Sequence, residues 1–159
     1  MILILGTTSS GKSRLAFDVA EATGGQIISI DSMKVYRRMD IGTAKPALEH
    51  RKKINYHLID VAEPSESFSV DRFLDMTNSA VERIKKDGKR VIAVGGTAMY
   101  IKVLLYGLFD GPGSDEEIRE RLRGQIEDEG SGGLYNRLAE VDPVTAQRIH
   151  QNDHRRIIR

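Results

Sequence analysis

The chain has 159 residues, 40% of them apolar, and a formal net charge of +1, which suits a soluble globular protein with a real core and excludes a disordered or strongly basic one. The absence of cysteine excludes disulfides and thiolate metal sites. No apolar run approaches the ~20 residues of a membrane span, and a strand predicted at the first residues leaves no room for a signal peptide, so we expect a cytoplasmic protein.

The first predicted strand, residues 2–5, leads directly into Gly6-Thr7-Thr8-Ser9-Ser10-Gly11-Lys12-Ser13. This segment, here called the phosphate loop, fits G-x-x-x-x-G-K-[ST] and precedes a predicted helix, as the motif requires. In such a loop, backbone N–H groups converge on phosphate oxygens and the lysine adds a point charge, while the Ser13 hydroxyl would help to hold Mg²⁺. The loop predicts binding of a phosphorylated ligand without identifying it.

Apolar residues at helical spacing predict a helix over residues 12–23, which two glycines end. Residues 26–30 predict a short buried strand that is followed by Asp31 and Ser32. A strand–helix–strand unit of this kind predicts a parallel sheet. Asp31 is therefore expected at a carboxyl strand end, on the same edge as the phosphate loop.

Residues 33–54 show little periodicity, and we predict an irregular basic connection, which beside a phosphate site is more often functional than idle. The charge run Arg51-Lys52-Lys53 favours a solvated face. Residues 56–61 predict a third strand, and Ser69 is predicted to cap the next helix. The predicted inner face of that helix comprises Phe73, Met76, Ala80, Val81 and Ile84.

Residues 91–94 predict a fourth strand that runs into Gly95, Gly96 and Thr97. A water-activating ATPase with a phosphate loop is expected to place a carboxylate here. This strand instead offers two glycines, which would admit a ligand closely, and a hydroxyl that can donate a hydrogen bond. Residues 100–108 then predict an apolar helix that is mostly core.

The remaining residues predict helices. Ser114 and Glu117 form a capping box, the run of residues 130–133 should break the helix that follows, and Asp142-Pro143 should start another. We predict a P-loop NTPase-like parallel sheet flanked by helices over residues 1–110, and a helical insertion or lid over residues 111–151. Because such a sheet normally has one more strand, residues 152–159 are expected to begin a core segment that continues beyond this chain.

Several segments resemble, in order, signatures of the tRNA dimethylallyltransferases, also called tRNA isopentenyltransferases. They are the phosphate loop, Ile30 to Arg37, Met39 to Pro46, His57 to Asp60, Val94 to Thr97, Ile149-His150 and Asn152 to Arg159. The second and third of these are far more specific than the phosphate loop. Departures from the family pattern, at Thr7, Ser9, Ser13, Arg38 and Gln151, remove no reactive group.

The resemblance implies transfer of a dimethylallyl group from dimethylallyl diphosphate to N6 of an adenine beside the anticodon, in tRNAs that read codons beginning with U. It implies that Asp31 accepts the proton from the adenine amine. Lys12 and Mg²⁺ at Ser13 would stabilise the departing diphosphate, and Thr97 would hydrogen-bond its bridging oxygen. The adenine would have to leave its stack to react.

The resemblance also implies a set of contacts with the tRNA anticodon stem-loop. These are Asp31, Ser32, Met33, Lys34, Thr97, Arg119, Arg155, Arg156, Ile157, Ile158 and Arg159. Met33, Ile157 and Ile158 are equally compatible with core positions or backbone contacts, and His57 and His150 are interpreted as structural. No membrane and no stable protein partner are implied.

Two other functions remain open on sequence grounds. A small-molecule or nucleotide kinase shares the phosphate loop, the parallel sheet and an arginine-bearing lid, and would bind ATP. A nucleotide-responsive RNA-binding module without catalysis would also use the loop, but would not need Asp31.

Overall fold

The computed structural model describes residues 1–109, 111, 113 and 115–159. The chain forms two compact units, Met1–Phe109 and Asp110–Arg159, here called the α/β unit and the helical unit. The α/β unit contains, in order, β1 (Ile2–Leu5), α1 (Lys12–Thr23), β2 (Gln26–Ile30), α2 (Leu48–Lys53), β3 (Tyr56–His57), α3 (Val70–Lys86), β4 (Val91–Gly95) and α4 (Ala98–Tyr106). None of the described helices is both long enough and apolar enough to cross a membrane.

The strands form one parallel sheet in the order β1-β4-β2-β3. The register pairs Leu5 of β1 and Ile30 of β2 with Gly95 of β4. Three strands therefore end at the same level, so the segments that follow them start side by side at one edge of the sheet. This arrangement confirms the predicted fold class and explains why the phosphate loop, Asp31 and Thr97 lie close together.

Both faces of the sheet are covered, as expected for parallel strands that are apolar throughout. Ile28, Ile30 and Ala93 pack with α3 and α4 on one face, where the rings of Phe73 and Tyr100 stack with centroids 3.9 Å apart. On the opposite face, α1 packs on the sheet. Its buried cluster comprises Ala16, Phe17, Ala20, Ile27, Ile54, Ile92 and Val94.

The third strand is shorter than predicted. It covers Tyr56–His57 instead of residues 56–61, because Leu58 and Asp60 adopt φ angles of 60° and 56°. These left-handed conformations are unfavourable for residues other than glycine and cannot continue a strand. The apolar run that predicted a strand is nevertheless buried at Leu58 and Ile59.

The connection between β2 and β3 is more ordered than predicted. It contains α2, whose His50 ring lies 4.5 Å from the ring of Phe17 on α1. Arg51 is half-buried and ion-paired with Asp60 at 2.6 Å, so the solvated-face interpretation is wrong for Arg51, while Lys52 and Lys53 are exposed.

Two helices of the α/β unit depart in detail from their predicted faces. Ser69 caps α3, as predicted, by accepting a hydrogen bond from the backbone N–H of Arg72. On the inner face Thr77 is fully buried and donates to the carbonyl of Phe73, whereas Met76 and Val81 are only partly buried. Residues 100–108 were predicted to be mostly core, but Leu105 in α4 and Leu108 after it are exposed.

The helical unit contains α5 (Glu116–Glu129), α6 (Ser131–Val141), α7 (Pro143–Ala146) and α8 (His154–Ile158). The predicted cap Ser114 lies outside the described residues. Asp115 caps α5 by accepting from the N–H of Ile118. Gly130 alone separates α5 from α6, so the break predicted over residues 130–133 is too wide.

Residues 152–159, predicted to begin a further core segment, contain α8. This helix packs against α5 and α6, and Ile157 lines an apolar cavity of about 170 Å³ with residues of those helices. The assignment of residues 152–159 to a continuing core stays a prediction.

Candidate active site

The phosphate loop turns the chain from β1 into α1. Gly11 precedes the helix with a φ of 83° and Ser9 has a φ of 64°, so the loop needs the left-handed conformation twice. The first N–H groups of α1 have no carbonyl partner within the helix, and they favour an anion at this end. The ammonium of Lys12 donates to the carbonyl of Thr7 at 2.8 Å.

The two glycines that end β4 serve the packing of the protein's own backbone. A Cβ atom on Gly95 would lie 2.0 Å from the carbonyl oxygen of Ile30, and one on Gly96 would lie 2.8 Å from that of Gly6. The glycines let β2 and the phosphate loop approach β4 closely, which positions the loop. The expectation that they also admit a ligand stays a prediction.

Asp31 is held in a fixed orientation by the turn that follows β2. Its Oδ1 accepts hydrogen bonds from the backbone N–H groups of Met33 at 2.9 Å and Lys34 at 3.2 Å. Its Oδ2 lies 3.9 Å from the ammonium of Lys34. Because one oxygen is bound to the backbone, the other is free to accept a proton from a ligand in front of it.

The phosphate loop and Asp31 line one cavity of about 550 Å³, here called the loop cavity. Its walls comprise Thr8 to Arg14, Asp31, Met33, Lys34 and Gly42 to Ala44. The cavity thus combines converging backbone donors, lysine side chains and one carboxylate. This arrangement can bind a polyanion while a base stands beside it.

Thr97 stands at the start of α4, directly after the glycines that end β4, and is half-buried. Its Oγ1 accepts a hydrogen bond from the backbone N–H of Ser32, the residue that follows Asp31, at 3.1 Å. Since a hydroxyl group also carries a proton, Thr97 keeps a donor available. Its predicted contact with the bridging oxygen of a diphosphate stays a prediction.

An ion-pair network around the buried Lys45 adjoins the segment Gly42 to Ala44, which lines the cavity. Lys45 donates to Asp60 at 2.7 Å, to Asp40 at 2.9 Å and to the carbonyl of Tyr36 at 2.6 Å. Arg51 contacts the second oxygen of Asp60. Burial alone would raise the pKa of Asp60, but hydrogen bonds from Lys45 and Arg51 outweigh it and lower the pKa below its ordinary value of 3.8.

Sequence reasoning assigned no role to Lys45 or Asp60, although both lie within the family-like segments. The signal was available in the sequence, since Lys45 and Asp60 lie in segments that resemble the family, and a lysine or an acid that is buried requires a partner. What the sequence does not contain is the fold of residues 36–62, which brings these blocks together through the bridge between Tyr36 and Ala62.

The predicted tRNA contacts of the helical unit differ in accessibility. Arg155, Arg156 and Arg159 are exposed, and Arg156 is ion-paired with Asp153 at 3.3 Å. Arg119 lies on α5, 3.7 Å from Glu116. The side chain of Ile157 is buried, which leaves its backbone for any RNA contact, and Ile158 is half-buried.

The histidines singled out in the sequence have structural partners. The His57 ring lies 2.6 Å from the side-chain oxygen of Gln26, and burial, with a contribution from Arg83, lowers its pKa. His150 accepts from the backbone N–H of Asn152. Both are consistent with structural roles.

A predicted Mg²⁺ would have few protein ligands. Within the described residues, no group of three or more acidic, histidine or cysteine side chains could hold a metal ion. The Ser13 hydroxyl lines the loop cavity. This donor set fits Mg²⁺, which retains several waters and commonly binds through substrate phosphates.

A parallel sheet whose first strand enters a glycine-rich anion loop defines a P-loop NTPase-like protein. The family model of the IPP transferases matches residues 34–159. The chain belongs to the IPP transferase family. That match begins beyond the phosphate loop and Asp31, so these residues support the assignment independently.

Comparison with individual proteins covers the phosphate loop as well. The tRNA dimethylallyltransferase of Geobacter metallireducens is 48% identical over 159 residues, which are 100% of this chain and 52% of that protein. A tRNA dimethylallyltransferase 2 of Geotalea daltonii is also 48% identical over the whole chain, which covers 49% of its length. The chain therefore spans about half the length of these relatives.

Solved structures show the same similarity. The tRNA isopentenylpyrophosphate transferase of Bacillus halodurans superposes with a TM-score of 0.66 and is 38% identical over 99% of this chain and 52% of its own. A eukaryotic dimethylallyltransferase acting on tRNA gives a TM-score of 0.80 at 33% identity, over 99% of this chain and 39% of its own.

Proposed function

We propose that the whole protein transfers a dimethylallyl group from dimethylallyl diphosphate to N6 of an adenine beside the anticodon of tRNA, in tRNAs that read codons beginning with U. The observation that carries the proposal is the loop cavity, which the phosphate loop and the Asp31 carboxylate, held by backbone hydrogen bonds, line together. The names and high identity of the relatives give the reaction class.

The chemistry follows from these groups. The adenine N6 forms a bond to C1 of the prenyl group as the bond between C1 and the diphosphate oxygen breaks. Negative charge builds on the diphosphate, and the loop N–H groups and the Lys12 ammonium, which line the cavity, would stabilise it. The free oxygen of Asp31 receives the proton that N6 loses. All atoms are accounted for in prenylated adenine, diphosphate and protonated Asp31.

Mg²⁺ would be held by Ser13 together with oxygens of the donor diphosphate, and would neutralise part of the charge of the leaving group. The residues of this chain carry the remaining steps.

Thr97 is proposed to donate a hydrogen bond to the bridging oxygen of the diphosphate. Thr97→Ala should therefore lower kcat more than it weakens tRNA binding. Steady-state kinetics and filter binding on the whole protein measure the two effects. An unchanged kcat would contradict this role.

The target adenine is proposed to leave its stack and enter the cavity beside Asp31, since its amine cannot reach the prenyl donor while the base is stacked on its neighbours. Arg119, Arg155, Arg156 and Arg159 are proposed to contact tRNA phosphates, with Ser32 and Met33 near the base. A tRNA substrate is consistent with a cytoplasmic protein, and no stable protein partner is required.

The kinase alternative has no support in the comparisons, and one assay separates it from the transferase. The whole protein is incubated with Mg²⁺ and either labelled ATP alone, or an anticodon stem-loop with dimethylallyl diphosphate. The transferase releases diphosphate only in the second mixture. Release of phosphate from ATP would identify a kinase or ATPase instead.

The third function, an RNA-binding module without catalysis, is tested by Asp31→Ala. A module of that kind would retain every measurable function after this change. The transferase is expected to lose prenyl transfer while it still binds the stem-loop, because the substitution removes the proton acceptor.

A further inference from the structure

Two lysines of the α/β unit are largely buried, and they have different partners. The side chain of Lys45 is 3% exposed and contacts two carboxylates at hydrogen-bond distance. The side chain of Lys34 is 13% exposed. Among the described residues, its one ion-pair partner is Asp31, with 3.9 Å between the ammonium and Oδ2.

This distance is too long for a hydrogen bond, and the structure shows no closer acidic partner for the Lys34 ammonium within the residues that it describes. The ammonium is not sealed from solvent, so a ligand that enters the cavity can reach it. Burial lowers the pKa of Lys34; Asp31 counters this effect and the nearby Lys12 adds to it. Lys34 and Lys12 both line the loop cavity. The cavity therefore brings two like charges together, an arrangement that an anion between them would relieve.

The turn after β2 fixes the backbone at Lys34, whose side chain lines the loop cavity and also a neighbouring cavity of about 280 Å³. Its backbone N–H donates to Asp31 Oδ1, and Val35, the next residue, is fully buried. Contacts with RNA phosphates usually come from long, exposed basic side chains, such as Arg155 and Arg159 in this chain. The resemblance implies only that Lys34 contacts the tRNA, and a side chain that is 13% exposed is poorly suited to reach a phosphate of the RNA backbone.

We propose that Lys34 binds an oxygen of the diphosphate, as a second ammonium group beside Lys12, instead of a phosphate of the tRNA backbone. The inference rests on the proposed function, since a diphosphate in the loop cavity is its ligand. It makes Lys34 a specificity-determining residue: the pair of lysines suits a ligand with two linked phosphates better than one with a single phosphate.

The test measures binding of inorganic diphosphate to the whole protein by titration calorimetry with Mg²⁺. Lys34→Gln is expected to weaken binding by about 10- to 100-fold, the range for a lost hydrogen bond between charged groups. Lys34→Arg should restore most of the affinity. The matched control is Lys52→Gln, at an exposed lysine of α2, which should change nothing.

A second titration with inorganic phosphate should show a smaller loss in Lys34→Gln than the titration with diphosphate. The affinity for the anticodon stem-loop and its salt dependence should equal those of the wild type. Lys34→Met, which keeps the length of the aliphatic stem, replaces the glutamine variant if thermal melting shows that glutamine disturbs folding.

Unchanged diphosphate affinity in both Lys34→Gln and Lys34→Met would overturn the inference. A weakened affinity for the stem-loop with a smaller salt dependence would also overturn it, because that result would identify Lys34 as a contact to RNA phosphates. These results leave the proposed function intact if the wild type still transfers the prenyl group. A wild type that binds no diphosphate would overturn both.

Discussion

The α/β unit and the helical unit hold their predicted functional residues in different ways. In the α/β unit, the phosphate loop and Asp31 follow strands that end in register, and backbone hydrogen bonds fix the carboxylate. In the helical unit, Arg119 and Arg156 lie on helix surfaces and pair with acids one turn away.

This difference indicates how each unit contributes to function. Groups that must meet an atom of the substrate are oriented before binding, which benefits a chemical step. Arginines on helix surfaces suit a phosphate backbone, whose recognition depends on charge more than on fixed geometry. Substitutions in the first unit should change kcat, and those in the second should change salt-dependent affinity.

The largest expected effect compares one glycine from each unit. Gly95→Ala places a Cβ atom 2.0 Å from a backbone oxygen inside the sheet, and we expect a loss of about 4 kcal/mol or more in the free energy of unfolding. Gly124→Ala, in the open middle of α5, should stabilise by about 0.5–1 kcal/mol because alanine favours a helix. Urea denaturation measures both, and equal effects would contradict the tight packing of the strand ends.

The next effect concerns Lys12. Lys12→Ala removes a charge aimed at the diphosphate, and kcat of the whole protein should fall by about 10²–10³-fold. The affinity for tRNA should change little, since Lys12 lies in the phosphate loop and faces the loop cavity. An unchanged kcat would contradict the role of Lys12 in stabilising the leaving diphosphate.

A smaller effect is expected from the ion-pair network. Asp60→Asn leaves the buried Lys45 with Asp40 as its remaining carboxylate, and we expect about 2 kcal/mol of destabilisation at neutral pH. The network lowers the pKa of Asp60 in the folded protein below its ordinary value of 3.8. The stabilisation that ionised Asp60 provides is therefore complete above pH 3.8 and is lost as the pH falls through the lower pKa of the folded state. The difference in Tm between the wild type and Asp60→Asn should shrink in acid, and a difference that does not change with pH would contradict the role of ionised Asp60.

The smallest effect concerns an exposed arginine of the helical unit. Arg155→Gln should weaken stem-loop binding a few-fold, equally for different sequences, and lower the slope of log K against log salt by about 1. Filter binding at several salt concentrations measures this, with kcat at saturating RNA as the control. A lowered kcat with an unchanged slope would show that the arginine acts on chemistry.

The parts of the fold that were predicted well are those whose signals are local. Residues 2–5, 12–23 and 26–30 were placed correctly because the phosphate loop and two glycines mark their ends. The end of β3 could not be predicted, because the conformations of Leu58 and Asp60 depend on partners distant in sequence.

The candidate site shows the same division. The approach of Asp31 to the phosphate loop followed from strand order in a parallel sheet and a shared edge. The direction of the Lys34 side chain could not be predicted from the sequence, because residues in a turn have no periodicity that assigns them to a face. Nor did the sequence show that Gly95 and Gly96 make room for the protein's own backbone.

The central claim is that diphosphate leaves from the phosphate loop while Asp31 takes a proton from the base. The most direct test is mass spectrometry of an anticodon stem-loop after incubation with the whole protein, dimethylallyl diphosphate and Mg²⁺, in parallel with Asp31→Asn. We predict one added five-carbon unit on the adenine beside the anticodon with the wild type, and unmodified RNA with the variant. Unmodified RNA with the wild type, or equal modification with both proteins, would contradict the account.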